Sequence, residues 1–346
     1  MTSIEQILLQ STRDEHREAF DYANTHTSSE LLKDMEYRRV GGVAIAIARP
    51  LEGPSLDETI EAGDAPIVRF LPWGNNATKS DFNQPAQTQL LANVANRPII
   101  AMSSPSVGST LKLSRRDRKY IQDGDFSPVA REMLASLDEL TEGKLARVAF
   151  MGASQGAAFG IATASEALRR DHFETVEGVL ALGLPNVRER GRPELLNDFS
   201  KAGTVELHET LVRGGVPQLV TANHLSLHEP KRPLHFSMVT TAKMSRHPIL
   251  GYALSGGMGK IDTMWQRDIP TILRNSVPLT LVSEGQGAIM PTESLQARVA
   301  ELEAGHEELG LDEAMLRRLG LVSIVDGNHT LADHMPTVAA LLDRIS

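Results

Sequence analysis

Seven short apolar runs punctuate the chain, at residues 41–50 (GGVAIAIARP), 65–74 (APIVRFLPWG), 97–105 (RPIIAMSSP), 146–152 (ARVAFMG), 177–185 (EGVLALGLP), 277–285 (VPLTLVSEG) and 320–327 (GLVSIVDG). Most are continuous rather than alternating. That is the pattern of strands covered on both faces, as in a parallel sheet. Between them the apolar positions follow a helical period. Val129, Met133, Leu137 and Leu140 recur at three- and four-residue steps, which predicts a helix over 128–142 with one apolar face. Val338, Leu341, Leu342 and Ile345 repeat the pattern over 335–345, where Pro336 suits a first helical turn. Strands alternating with helices predict an α/β protein with a doubly wound, mostly parallel sheet.

Two intervals break this rhythm. Residues 1–40 are polar overall and read as an N-terminal helical arm. Residues 187–268 separate two predicted strands by far more than the few residues of an ordinary connection, which predicts an inserted helical cap or lid. The core then comprises 41–186 and 269–346. Within the insertion, Ser255–Lys260 (SGGMGK) has the glycines of a phosphate loop without the full Walker spacing, and predicts a flexible hinge where the cap returns.

Composition narrows the function classes. A hydrophobic fraction of 41% and a charged fraction of 23% are those of an ordinary soluble globular protein. Aromatics make up 4%, so the core must rest on aliphatic side chains and Met. The formal net charge of −9 leaves no basic surplus to neutralise phosphates and argues against a nucleic-acid partner. The basic run at 114–120 (SRRDRKY) reads as solvated surface. There is no cysteine, so disulfides and thiolate catalysis are excluded. No apolar stretch reaches the roughly 18 residues of a membrane span. The acidic, weakly apolar amino terminus is unlike a secretory signal, so a cytoplasmic location is expected.

The candidate chemistry lies at 146–162 (ARVAFMGASQGAAFGIA), where an apolar run ends in G-x-S-x-G. Such a motif on a tight strand-to-helix turn lifts a strained serine, Ser154, with an exposed hydroxyl. Gly152 and Gly156 suit a turn too sharp for side chains, and Ala157, Ala158 and Gly160 let a helix lie close to the sheet. The plainer reading is a serine that caps a helix. A nucleophilic serine needs a base. His329, after the last predicted strand, fits the chain order serine, acid, histidine, with His334 five residues on. Histidines 208, 224, 228, 235 and 247 crowd the insertion. His224 and His228 have i, i+4 spacing but no H-E-x-x-H context, so neither metal nor cofactor is expected. Met238, Met244, Met258 and Met264 read as core fillers.

On these residues the chain resembles the α/β-hydrolase superfamily, over most of 41–346 outside the insertion. GASQG (152–156) matches the family's nucleophile elbow and GNHTLADH (327–334) resembles its histidine loop. VRFLPWGNNA (68–77) resembles the strand and loop that carry His-Gly at the oxyanion site, with Trp73-Gly74 in place of that pair. In SSPSVGST (103–110), Pro105, Gly108 and Thr110 match the family's D-x-P-G-x-G-x-S turn, while Ser106 replaces its first glycine. The resemblance implies oxyanion donors at the backbone N–H of Gln155 and Asn75. The acid is where the chain departs. Aligning Pro291 puts Gly287 at the family's acid position and Glu284 at its glycine. Glu284, Asp326 or no acid at all remain open. The resemblance implies a serine hydrolase acting on a small-molecule carboxylic ester or related acyl compound through Ser154, His329 and Glu284. The missing His-Gly and displaced acid equally suit a hydrolase scaffold turned binding or structural module. Oligomeric state is left open.

Overall fold

The computed structural model describes residues 21–22, 25–79, 84–105, 111–195, 248–284, 292–324, 335–342 and 345. Eight strands form one sheet: β1 (Glu36–Val40), β2 (Val43–Ala48), β3 (Ile67–Phe70), β4 (Ile99–Met102), β5 (Arg147–Ala153), β6 (Thr175–Leu182), β7 (Leu279–Glu284) and β8 (Leu319–Ile324). Their order is β1-β2-β4-β3-β5-β6-β7-β8. β2 pairs antiparallel with β1 and β4, and every other pairing is parallel. The seven apolar runs supply β2 to β8, as the unbroken hydrophobic pattern predicts.

The eleven described α-helices are α1 (Ser28–Asp34), α2 (Leu56–Glu61), α3 (Gln84–Ala95), α4 (Arg115–Gln122), α5 (Ser127–Thr141), α6 (Gln155–Arg169), α7 (Pro248–Gly257), α8 (Ile269–Arg274), α9 (Thr292–Ala304), α10 (Glu313–Leu316) and α11 (Met335–Ala340). A π-helical turn, Met264–Asp268, leads into α8. Alternate strand residues feed two cores. Val68, Phe70, Val148 and Phe150 pack with Val129, Met133 and Leu137 of α5 and with Ala157, Phe159 and Ile161 of α6. Ile67, Ala149, Met151 and Leu180 face the other way, onto Leu90 and Leu91 of α3 and Val338 of α11. Leu341, Leu342 and Ile345 are buried there too, although α11 ends at Ala340. Met258 and Met264 are core fillers.

Two expectations need correction. The predicted helical arm gives way at its end to β1, whose sequence EYRRV is exposed at four of five positions. An edge strand paired on one side carries no apolar pattern to announce it. The predicted hinge at Ser255–Lys260 is instead tightly packed. A Cβ at Gly257 would overlap the Ile121 carbonyl, and one at Gly259 the Arg190 carbonyl. Arg190 N donates to Gly259 O at 3.0 Å, fully buried Asn186 donates to the carbonyls of Gly257 and Lys260, and Trp265 Nε1 donates to Asn186 O at 2.6 Å. These glycines therefore provide close backbone approach, and they hold residues 186–190 against residues 257–265. The rest of the predicted cap, with its five histidines and with Met238 and Met244, lies outside the described residues.

Candidate active site

β5 ends at Ala153 and α6 begins at Gln155, so Ser154 alone makes the turn. Its φ of 54° and ψ of −127° lie in a region that L side chains rarely adopt. The surroundings hold it there. Ser154 N donates to Leu182 O, at the end of β6, at 2.8 Å, and Ala157 N donates to Ser154 O at 2.9 Å. Neither flanking glycine has room for a side chain. A Cβ at Gly152 would overlap the Gly156 carbonyl, and one at Gly156 would overlap the Phe70 carbonyl at the end of β3. Ser154 forms no side-chain cap to α6, which removes the plainer capping role. The expected open exposure is not found: the residue is 4% exposed, on an edge where Asn75, Ser103, Ser104 and Gln155 are also buried.

Gln155 opens α6, so its N–H belongs to the first turn, where donors have no intrahelical acceptor and attract negative charge. Asn75 sits after Gly74, whose φ is 80°. Its N–H is already donated to Pro72 O at 3.1 Å, closing a turn, and its carbonyl accepts from Ser104 N at 3.0 Å. Its side-chain amide donates to the carbonyls of Pro72 and Trp73, both at 3.2 Å. Asn76 Oδ1 accepts from Thr78 N at 3.0 Å. Both asparagine side chains therefore act as turn formers.

Glu284 is the last residue of β7, in register with Ile324, the last of β8. The parallel order β5-β6-β7-β8 sets Ala153, Leu182, Glu284 and Ile324 along one edge of the sheet. His329, Asp326, His334, Gly287 and Pro291 lie outside the described residues, as do Ser106, Gly108 and Thr110. Among the described residues, no group of three or more His, Asp and Glu is placed to hold a metal ion, and no helix is long and apolar enough to cross a membrane. Cavities of about 330, 520 and 510 Å³ open elsewhere on the molecule, and none is lined by Ser154.

The eight-stranded order with its antiparallel start, the serine on a strained turn after the fifth strand and the helix N-terminus behind it now stand together. The chain has the α/β-hydrolase fold. Solved structures agree. A hydrolase from Oleispira antarctica is 12% identical, with a TM-score of 0.51, over 92% of this chain and 96% of that one. An α/β hydrolase enzyme from a Medee basin deep-sea metagenome library is 14% identical, with a TM-score of 0.51, over 89% and 95%. A thermophilic esterase from Thermogutta terrifontis, with malate bound, is 13% identical, with a TM-score of 0.50, over 90% and 100%. No family model and no curated protein matches the sequence.

One residue of this α/β-hydrolase core escapes a motif search. Arg69 lies in the middle of β3, inside a run that otherwise reads as buried strand, and it is 4% exposed. Its partners all lie on α3: Nη1 donates to Gln84 O at 3.3 Å and to Thr88 Oγ1, and Nη2 donates to Gln84 Oε1 at 2.8 Å and Gln87 Oε1 at 2.9 Å. Burial pulls its pKa down to about 9, which still leaves it a cation at neutral pH. The signal in the sequence was a lone charge in an apolar stretch.

Proposed function

We propose that the protein is a serine hydrolase that cleaves a carboxylic ester or related acyl compound through an acyl-enzyme, with no cofactor. The carrying observation is Ser154, held at φ 54° between two glycines that admit no side chain, at the end of a central strand. Such strain persists where the surrounding structure enforces it and is concentrated at functional sites.

In this reading His329 takes the proton from Ser154 Oγ as the oxygen attacks the substrate carbonyl. The carbonyl oxygen becomes an oxyanion at the N-terminus of α6, beside Gln155 N–H. His329 returns the proton to the departing alcohol. Water, deprotonated by the same imidazole, then releases the acid and restores Ser154. Glu284 is the candidate to orient His329, from the strand next to β8. Asn75 N–H joins as second donor by exchanging its turn bond to Pro72 for one to the oxyanion. That committed N–H also favours a second reading, a hydrolase scaffold kept as a binding or structural module.

Labelling of the intact protein by a fluorophosphonate separates the two. The hydrolase reading expects one equivalent taken up at Ser154, and none by Ser154→Ala, which keeps its fold and loses turnover of an activated short-chain ester. Silence across several probes, or wild-type turnover by Ser154→Ala, leaves the scaffold reading.

A further inference from the structure

Among the described residues, Arg69 is a buried cation without a carboxylate partner. Its four acceptors are a carbonyl, two side-chain amides and a hydroxyl, and among the described residues no carboxylate pairs with it. Such burial is costly, because a neutral cage solvates a guanidinium less well than water or a counter-ion. The location adds to the cost. Gln84, Gln87 and Thr88 belong to the opening turns of α3, the end that the helix dipole makes positive. A side chain needed only to tie β3 to α3 could be neutral. Cation and helix end together create a strongly positive potential within the fold.

That potential lies on the oxyanion side of the candidate site. In the sheet Arg69 stands beside Met151, and Phe70 beside Gly152, so Ser154 lies roughly 10 Å further along the neighbouring strand. β3 runs directly into the Trp73-Gly74-Asn75 loop, whereas β8, which precedes His329, lies three strands beyond β5. A fixed charge on the side of β3 thus favours negative charge on the substrate oxygen more than it opposes positive charge on the imidazole.

We propose that Arg69 is a remote electrostatic element of the site: its field, not its contact, stabilises the negative charge that develops beside Ser154. The inference rests on the hydrolase reading above. The test neutralises the charge without removing the bonds. Gln87→Glu is isosteric and gives Nη2 a carboxylate at the place where it now meets an amide oxygen. A tie between β3 and α3 is strengthened by that change, so a purely structural role leaves turnover intact. The field predicts that kcat on an activated short-chain ester falls about tenfold while KM stays within about twofold and the melting temperature does not fall. Gln84→Glu, which presents a carboxylate to the same Nη2, is read the same way should Gln87→Glu fail to fold. Arg69→Lys keeps the charge and retains most of kcat. Folded Gln→Glu variants with wild-type kcat overturn the proposal. If the wild type takes up no fluorophosphonate, the hydrolase reading itself falls; if it does, and Gln87→Glu reacts equally fast, only the role of Arg69 falls.

Discussion

Ser154 illustrates how much a single backbone conformation can record. Its φ of 54° and ψ of −127° are held by a bond from its own N–H to β6 and by packing of Gly156 against β3. Residues forced into such regions store about 1–3 kcal/mol. Glycine adopts them freely, at the expense of a more flexible unfolded chain. Ser154→Gly is therefore expected to be more stable than the wild type by ~1 kcal/mol in urea denaturation, while fluorophosphonate uptake is lost. A lower stability would show that the turn is relaxed, not strained. Around it, the sequence spoke clearly about the glycines and wrongly about exposure. Exposure depends on loops folding over the edge, and a motif carries no information about them.

At the scale of elements, α6 is fixed at both ends. Its start is the elbow. Near its other end, Ser165 Oγ donates to Asp268 Oδ1 at 2.9 Å, and Asp268 closes the π-helical turn before α8. Arg267 then bridges Asp268, at 2.8 Å from Nε, and Asp125, at 2.9 Å from Nη2. Ser127 N, in the first turn of α5, also donates to Asp125 at 2.9 Å. The network spans α5, α6 and the turn into α8, so the helix that presents Gln155 N–H is braced far from the chemistry. Burial alone would lift the Asp125 pKa, but hydrogen bonds from Arg267 and Ser127 outweigh it and hold the carboxyl below the usual aspartate range. The sign follows. A group with a depressed folded pKa contributes stability above its unfolded pKa, near pH 4, and that contribution is lost as pH falls through the folded value. Fully buried Asp268 is shifted up by desolvation and acts in the opposite sense. On acidification from about pH 6 to about pH 3, the urea midpoint of Asp125→Asn should therefore drop less than that of the wild type. Equal drops would remove Asp125 from the account. The sequence held no sign of this network, because its members are far apart in the chain and each looks like an ordinary polar residue.

At the scale of the molecule, the parallel order from β3 to β8 gathers distant segments on one edge. Ser154 directly follows β5, Glu284 ends β7, and His329 follows β8 by a few residues in the chain. If that edge is the site, His329→Ala should slow phosphonylation of Ser154 by about a thousandfold, while Glu284→Gln costs less, in keeping with a base and its orienting acid. A labelling rate unchanged by His329→Ala would remove the imidazole from the mechanism. The same order places Arg69 near the elbow: the pairing of β3 with β5 brings position 69 to the strand that leads into Ser154.

The sequence by itself determined the apolar strands β2 to β8, the helical face of α5, and the elbow glycines. Each is a local matter of side-chain period or of steric room at one turn, and local physics is written in consecutive residues. The tertiary structure alone decided that β1 pairs at the sheet edge, that Gly257 and Gly259 are packing points, that Ser154 is nearly buried, and that Arg69 meets only neutral partners among the described residues. Those facts are set by which segments meet, and burial or the set of partners around a charge is a property of the meeting, not of either segment.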